Sequence, residues 1–311
     1  MEIINFRDWI DLFELEQDIP NKYREQLYVS GRNLLLKFNH LVELLIERNN
    51  IDYSELATLF NVSDKQLRNW RTGKTPIPLR ILKFVSNQDG IDKRMIENEI
   101  DYILSSRHIQ INIPRTVSSL LIEILGRFSG DGSCGMYDGD YKWSFKEEGK
   151  KFVNQNLRDM ETIFGIGGTY IDYGTYAENL IRSKPLVLLF QQIFDYNKDF
   201  KKTYDVDLPF FLYTVDWEYR KYFTTGLIDT EGSFYCSNQS YYFEIHMVNK
   251  HMINEVANAF SEYGIPYNRK HRNYQEFKLI SYGRSNCNLI SEIFEIKNEK
   301  HIRKLINWGI Y

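Results

Sequence analysis

Two short motifs that combine glycine with one acidic residue stand 100 positions apart in this chain. One reads GRFSGDGSC over 126–134 and the other GLIDTEGSF over 226–234, and each continues an apolar run with helical spacing. The acids and the residues before them are Asp131 with Gly130, and Glu231 with Thr230. Two carboxylates that meet beside two backbone carbonyls make an all-oxygen site. Such a site suits Mg²⁺ or Mn²⁺, so the pattern predicts a divalent-metal centre.

The glycines inside these helical runs indicate how the acids come together. Glycine costs a helix interior about 1 kcal/mol relative to alanine, so Gly126, Gly130 and Gly226 need a compensating role. Small residues let two helices approach more closely than the usual 8–10 Å. If the two helices pack side by side, their C-terminal ends coincide, and the negative poles of both helix dipoles attract a cation between Asp131 and Glu231.

The surroundings of the motifs repeat at the same separation. YKWSFKEEGKKFVNQNL at 141–157 parallels YYFEIHMVNKHMINEVA at 241–257, and each reads as a strand that runs into a helix. Farther on, both halves read as a hairpin and then a helix. This predicts two α+β subdomains with the order αββαββα, over 113–207 and 208–311. A repeat of about 100 residues exceeds the period of a solenoid unit and favours a pseudo-twofold pair.

These motifs resemble those of single-chain LAGLIDADG homing endonucleases, over residues 113–311. The second copy keeps the Gly-Leu-Ile-Asp start, a small residue, an acid and a glycine, whereas the first has Arg127-Phe128 in place of Leu-Ile and Ser129 in place of the sixth-position Asp. The resemblance implies a β-saddle on double-stranded DNA and a long asymmetric target site. It also implies that Asp131 and Glu231 bind Mg²⁺ or Mn²⁺ at the scissile phosphates, so that both strands are hydrolysed by a monomer. As ligands to this metal, Gly130 and Thr230 would add their carbonyl oxygens.

The same resemblance implies further site residues. Lysines expected to stabilise phosphoryl charge or orient water are Lys150, Lys250, Lys201 or Lys202, and Lys300. Strand residues expected to contact bases in the major groove are Lys146, Tyr235, Ser237, Gln239, His246, Arg269, His271 and Lys278. A one-residue shift in strand register would turn any of these side chains to the opposite face. For each lysine, a solvated charged surface is an equally good interpretation.

The sequence pattern of residues 1–112 predicts an all-α domain with a helix-turn-helix at about 53–85. Apolar residues give one face of a first helix, Asn61-Val62 makes a turn, and Ser63 is placed to cap a second helix with Gln66 at the capping-box position. The stretch resembles the helix-turn-helix of phage-repressor-like proteins. Its second helix is basic, and the expected DNA contacts are Lys65, Arg68, Arg71 and Lys74. An ordinary helical hairpin with a solvated basic face is the alternative.

Composition limits the classes of protein to which this chain could belong. The 311 residues are 43% hydrophobic and 26% charged with a net charge of −3, which is typical of a globular chain of about two domains. Three scattered cysteines, an acidic start and no apolar run of about 18 residues predict a cytoplasmic, nucleoid-associated protein with no signal peptide or membrane span. The sequence has no Cys-x-x-Cys and no His pair at zinc spacing.

Other functions remain open on the same scaffold. A non-cleaving transcription regulator or an intron RNA maturase would also combine a helix-turn-helix with the duplicated halves. Both acids are present, and this favours a divalent-metal-dependent endonuclease that makes double-strand breaks.

Overall fold

The structure, a computed structural model, describes residues 5–15, 26–88, 91–195, 206–272 and 276–310, with the backbone alone at 271–272. The chain divides into two units, Asn5–Arg115 and Thr116–Tyr311. None of the described helices is both long and apolar enough to cross a membrane.

The N-terminal unit contains the two helices expected around the Asn61-Val62 turn. Their start points follow from local capping. Asp52 and Glu55 form a capping box at the first helix, and the Ser63 hydroxyl accepts the Gln66 N–H at 3.3 Å at the second. The helices of this unit are α1 Leu34–Asn49, α2 Tyr53–Leu59, α3 Asp64–Arg71, α4 Leu79–Ser86 and α5 Lys93–Glu97.

The expectation of an all-α N-terminal domain is wrong, because this unit also holds an antiparallel sheet. Its strands are β1 Leu27–Ser30, β2 Ile77–Pro78, β3 Tyr102–Ser105 and β4 Gln110–Asn112, in the order β2-β1-β3-β4. The strands are two to four residues long, so alternation such as buried Leu27 and Val29 is too brief to register as a strand pattern. Strand β1 also finds its partners about 50 and 75 residues away, at Val29↔Ile77 and Val29↔Ile103.

The C-terminal unit contains the expected αββαββα order twice. The first copy is α6 Ser119–Asp131, β5 Gly132–Tyr137, β6 Asp140–Glu147, α7 Lys150–Phe164, β7 Thr169–Asp172, β8 Ala177–Arg182 and α8 Lys184–Ile193. The second is α9 Trp217–Glu231, β9 Gly232–Ser237, β10 Ser240–Met247, α10 Lys250–Glu262, β11 Asn268–Arg272, β12 Glu276–Tyr282 and α11 Arg284–Ile293, followed by α12 Glu299–Asn307. The sheets have the orders β5-β6-β8-β7 and β9-β10-β12-β11.

Strand register reproduces the duplication residue by residue. The pair Cys134↔Trp143 has its counterpart in Phe234↔Phe243, and Lys142↔Arg182 has its counterpart in Tyr242↔Tyr282. The last hairpin departs from this rule. Thr169 pairs with Leu180, whereas Ile280 pairs with Asn268 in place of residue 269. A shift of one residue reverses the face of every side chain on β11 relative to its counterpart on β7.

Candidate metal and nucleic-acid site

Helices α6 and α9 pack along a seam where glycines let the two backbones touch. A Cβ on Gly226 would lie 2.5 Å from the Arg127 nitrogen and 2.5 Å from the Glu123 carbonyl oxygen. A Cβ on Gly126 would collide with the carbonyl oxygen of Phe223. Residues with side chains at either position would force the helices apart, which is the physical reason for glycine there.

The acids Asp131 and Glu231 meet at the end of this seam. Each is the last residue of its helix, and a Cβ on Gly130 would lie 3.2 Å from Cγ of Glu231. Burial and the negative charges of Glu147 and Glu231 raise the pKa of Asp131 to about 8. The end of the helix pair is therefore a desolvated, strongly negative position that a cation would stabilise.

A third acid, Glu147, belongs to the same group and was not expected from the motifs. It ends β6, is 6% exposed, and hydrogen-bonds to the Asp131 carboxyl group. It follows Trp143 and Phe145 on the buried side of the strand, where alternation calls for an apolar residue. The second repeat has Met247 at this place. A carboxylate at an apolar strand position is the signal that could have identified Glu147 from sequence.

Asp131 and Glu147 open onto a cleft of about 390 Å³ that also contains lysine, whereas Glu231 is not among its lining residues. Its lining residues are Asp131, Lys146, Glu147, Glu148, Tyr176, Thr230 and Lys300. The Lys300 ammonium group donates to Oε2 of Glu147 at 2.8 Å and to the carbonyl oxygen of Thr230 at 3.3 Å. Lys300 comes from the second repeat and Glu147 from the first, so the ion pair crosses the pseudo-twofold boundary.

The other predicted lysines lie in different surroundings. Lys150 pairs with Asp172 at 2.7 Å and does not line the cleft, and Lys146 lines it while pairing with Glu178 at 3.6 Å. Lys250 is exposed at the start of α10. Lys201 and Lys202 lie outside the described residues. A second lysine near Lys300 is Lys304, whose pKa is lowered by burial and by the charge of Lys300.

Residues 297–300, which we call the strap, include Lys300 and are held in place by Asp229 and Glu123. The Asp229 carboxylate is buried and accepts the backbone N–H groups of Lys297 and Asn298, each at 3.0 Å. The Lys297 ammonium group bonds to Glu123 of α6. The strap therefore ties the second motif to the first helix, and Asp229 supports the site without facing the cleft. The first copy has Ser129 at this place, and its hydroxyl bonds to the Leu125 carbonyl oxygen instead.

The strap also caps a helix of the other repeat. Carboxylate oxygens of Glu299 accept the backbone N–H groups of Lys151 and Phe152, at 2.7 and 3.0 Å, at the N-terminus of α7. Gly149 leaves the room required, because a Cβ there would collide with Oδ1 of Asn298. In the second repeat Asn249 caps α10 with its own side chain. The difference between Gly149 and Asn249 thus follows from the position of the strap.

We expect Glu299→Ala to lower the free energy of unfolding by about 1 kcal/mol, since α7 loses its capping acceptor. The measurement is the midpoint of urea unfolding at neutral pH. Glu161→Ala removes an exposed acid from the last turn of the same helix and should change stability by less than about 0.5 kcal/mol. Equal effects of the two substitutions would show that Glu299 does not act as a cap.

The donor set fits a hard divalent cation. Mg²⁺ takes one or two carboxylates and keeps several waters, and Asp131 and Glu231 supply two carboxylates at a negative helix end. Among the described residues, no group of three or more His, Cys, Asp or Glu side chains is arranged to hold a metal. A fully enclosed protein cage of the zinc or calcium type is therefore not formed there, whereas a two-carboxylate site needs no such cage.

The open face of the second sheet carries several residues expected to contact bases. Register places Tyr235, Ser237, His246 and Lys278 on this face. Most are already bonded to one acid, Glu244. The Tyr235 hydroxyl donates to it at 2.7 Å, His246 Nε2 lies 3.2 Å away, and Lys278 forms an ion pair with it. The tyrosine rings of this face also stack, with 5.0 Å between the centroids of Tyr235 and Tyr242.

Three expected base-contacting residues do not lie on that face. Arg269 pairs with buried Leu279 and bonds to Asn254 of α10, so it lies on the helix side of the sheet. The backbone of His271 has the same parity. The one-residue shift of the last hairpin is the cause, and Lys270 occupies the open-face register instead. Gln239 is a turn residue with φ of 62°, outside both strands of its hairpin.

The chain is similar in structure to several solved proteins with which it shares little sequence identity. A structure of mesophilic variants of the homing endonuclease I-DmoI matches with 14% identity and a TM-score of 0.43, over 58% of this chain and 97% of the other. I-GzeII, a LAGLIDADG homing endonuclease in complex with a DNA target, matches with 13% identity and a TM-score of 0.39, over 62% and 92%. The meganuclease I-SmaMI bound to DNA matches with 12% identity and a TM-score of 0.40, over 60% and 85%. No protein-family model matches the chain, and no curated protein does.

The basic residues of α3 and of the turn that follows it in the N-terminal unit fall into two groups. Lys65, Arg68 and Lys74 are exposed and make no ion pair with any described residue. Arg71 is engaged within the unit, because its guanidinium group bonds to Glu43 at 2.8 Å and lies 4.1 Å from the centre of the Tyr53 ring. Arg71 therefore holds α3 against α1 and α2, and its expected contact with DNA stays a prediction.

Proposed function

We propose that this chain is a site-specific DNA endonuclease that uses a divalent metal, Mg²⁺ or Mn²⁺, to hydrolyse both strands of a duplex. The observation that carries the proposal is the meeting of Asp131 and Glu231 at the end of a glycine-lined helix seam, beside Lys300. Outside the last hairpin the two halves share their strand register, and they present two related surfaces to the two strands of a DNA duplex. A single chain supplies both halves, so we expect it to act as a monomer.

The residues at the end of the helix seam and those of the cleft beside it have distinct roles in this proposal. Asp131 and Glu231 hold the metal, with the carbonyl groups of Gly130 and Thr230 as further oxygen donors. A bound divalent metal lowers the pKa of water and stabilises negative charge on phosphoryl and leaving oxygens. The Lys300 ammonium group lies between Glu147 and the Thr230 carbonyl. In this proposal it stabilises negative charge on the phosphoryl group. Glu147 orients Lys300 and also bonds to Asp131.

The DNA contacts come from surfaces that carry donors and exposed charge. On the sheets these are the open-face residues Lys146, Tyr235, Ser237, His246, Lys270 and Lys278, and on α3 and the turn after it they are Lys65, Arg68 and Lys74. Side chains of this kind on a β-ribbon read base edges in the major groove, while lysine and arginine on a helix contact phosphates and bases. Lys150 and Lys250 keep only a supporting role in this proposal.

The test is cleavage of a supercoiled plasmid library of genomic fragments from the source of the gene. Linear product in Mg²⁺ or Mn²⁺, and none in EDTA, is the expected result. Binding of defined fragments that persists without strand scission in any divalent metal would replace the proposal with a non-cleaving regulator. Tight binding to a folded intron RNA in place of DNA would favour a maturase.

We expect Lys300→Ala to slow cleavage by about 10²-fold or more, since a preorganised cation leaves the phosphoryl site. Lys150→Ala is the matched control, because Lys150 pairs with Asp172 and does not line the cleft. It should change the rate by less than about threefold. The measurement is the single-turnover cleavage rate on a target fragment. A loss for Lys150→Ala as large as that for Lys300→Ala would contradict the placement of Lys300 at the chemistry.

A further inference from the structure

A cleft lies beside α3 in the N-terminal unit and is separate from the metal site. It has a volume of about 420 Å³. One wall is formed by α3, and the other is the tip of the hairpin formed by β3 and β4. Trp70, which is 2% exposed, and Leu104 form part of its lining between these walls.

The chemistry of the cleft favours an anion. Its α3 wall carries the Lys65 ammonium group and the amides of Gln66 and Asn69, and its hairpin wall carries the Ser106 hydroxyl and the His108 imidazole. No Asp or Glu is among the described residues that line it, although the chain has 42 acidic residues against 39 basic ones. A surface rich in donors and free of carboxylates suits phosphate oxygens.

The position of the cleft favours one kind of phosphate. A helix that enters the major groove has a sugar–phosphate backbone along each side, because the groove is only about 12 Å wide. The cleft runs along the side of α3, and Lys65 and Arg68 are exposed on that helix. The hairpin tip is exposed at Ser106 and His108, so it is free to meet a strand from the opposite side.

We infer that this cleft clamps the sugar–phosphate backbone of a DNA duplex between α3 and the β3–β4 hairpin. The inference rests on the proposed function, and it adds the hairpin as a second DNA-contacting element that the helix-turn-helix pattern does not include. Lys65 contacts the backbone from the helix side, and Ser106 and His108 contact it from the hairpin side.

Binding of the full-length protein to a fluorescent 30-bp duplex of mixed sequence tests the inference, by anisotropy in EDTA and low salt. Ser106→Glu places a carboxylate on the hairpin wall and should weaken binding about fivefold. Ser30→Glu is the matched control, since Ser30 is an exposed serine of the same unit that does not line this cleft. It should change the affinity by less than about twofold. Arg68→Ala reports on α3 alone and should lower the slope of log K against log salt by about 1.

The outcomes separate the inference from the proposed function. Weaker binding by Arg68→Ala with equal affinities of Ser106→Glu and Ser30→Glu would overturn the clamp and leave DNA binding by α3 intact. Unchanged affinity and salt slope in Arg68→Ala, or no binding by the unaltered protein, would remove the DNA contact of this unit and the clamp with it. Far-UV circular dichroism and the urea midpoint of each variant confirm that its fold is retained.

Discussion

We expect Asp131→Asn and Glu231→Gln to abolish cleavage, while binding to the target duplex remains within about threefold. Each substitution removes one anionic oxygen donor from the end of the α6–α9 seam and leaves the shape of the side chain unchanged. The metal then loses one of its two carboxylates, and with it the activation of water and the stabilisation of phosphoryl charge. We expect the single-turnover cleavage rate to fall by about 10³-fold or more. The measurements are the cleavage rate in Mg²⁺ and duplex binding in Ca²⁺.

Asp138→Asn is the matched control for these acids. Asp138 lies in the exposed β5–β6 turn of the same repeat with φ of 53°, a conformation that asparagine tolerates well. The control should keep the cleavage rate of the unaltered protein within about threefold. Retained cutting by Asp131→Asn or Glu231→Gln, or equal losses in all three variants, would rule out the two-carboxylate site.

Gly226→Ala is expected to lower the free energy of unfolding by about 3 kcal/mol or more, because an added methyl group meets backbone on the facing helix. Its Cβ would lie 2.5 Å from two main-chain atoms of α6. A backbone neighbour cannot rotate away as a flexible side chain does, so the helices must separate. The measurement is urea unfolding followed by circular dichroism.

Gly167→Ala supplies the control for this second prediction. The same added methyl group meets nothing within 4 Å at Gly167, and the backbone there is not in the left-handed region. Alanine should leave stability unchanged or raise it by up to about 1 kcal/mol, since it restricts the unfolded chain. If Gly226→Ala is as stable as Gly167→Ala, the helices are not in backbone contact and the acids are not held together.

The sequence alone determined the duplication and the two acids of the site. Local signals suffice for these features, because glycine spacing, the order of apolar and polar residues and the capping residue Ser63 act over a few positions. The repeat places α6 and α9, and it places Asp131 and Glu231 at equivalent ends. Their adjacency required the inference that glycines mark a close helix contact, which the seam at Gly126 and Gly226 confirms.

Other features were decided only by the tertiary structure. Glu147 and Lys300 belong to different repeats, 153 positions apart, and no local pattern pairs them. The strands of the N-terminal unit are too short for their alternation to be read, and β1 forms because distant partners supply its hydrogen bonds. Arg269 lies on the helix side of its sheet because the last hairpin pairs one residue out of step with the first. Strand register and contacts between distant segments depend on the packing of the whole unit. Local sequence patterns therefore do not predict them.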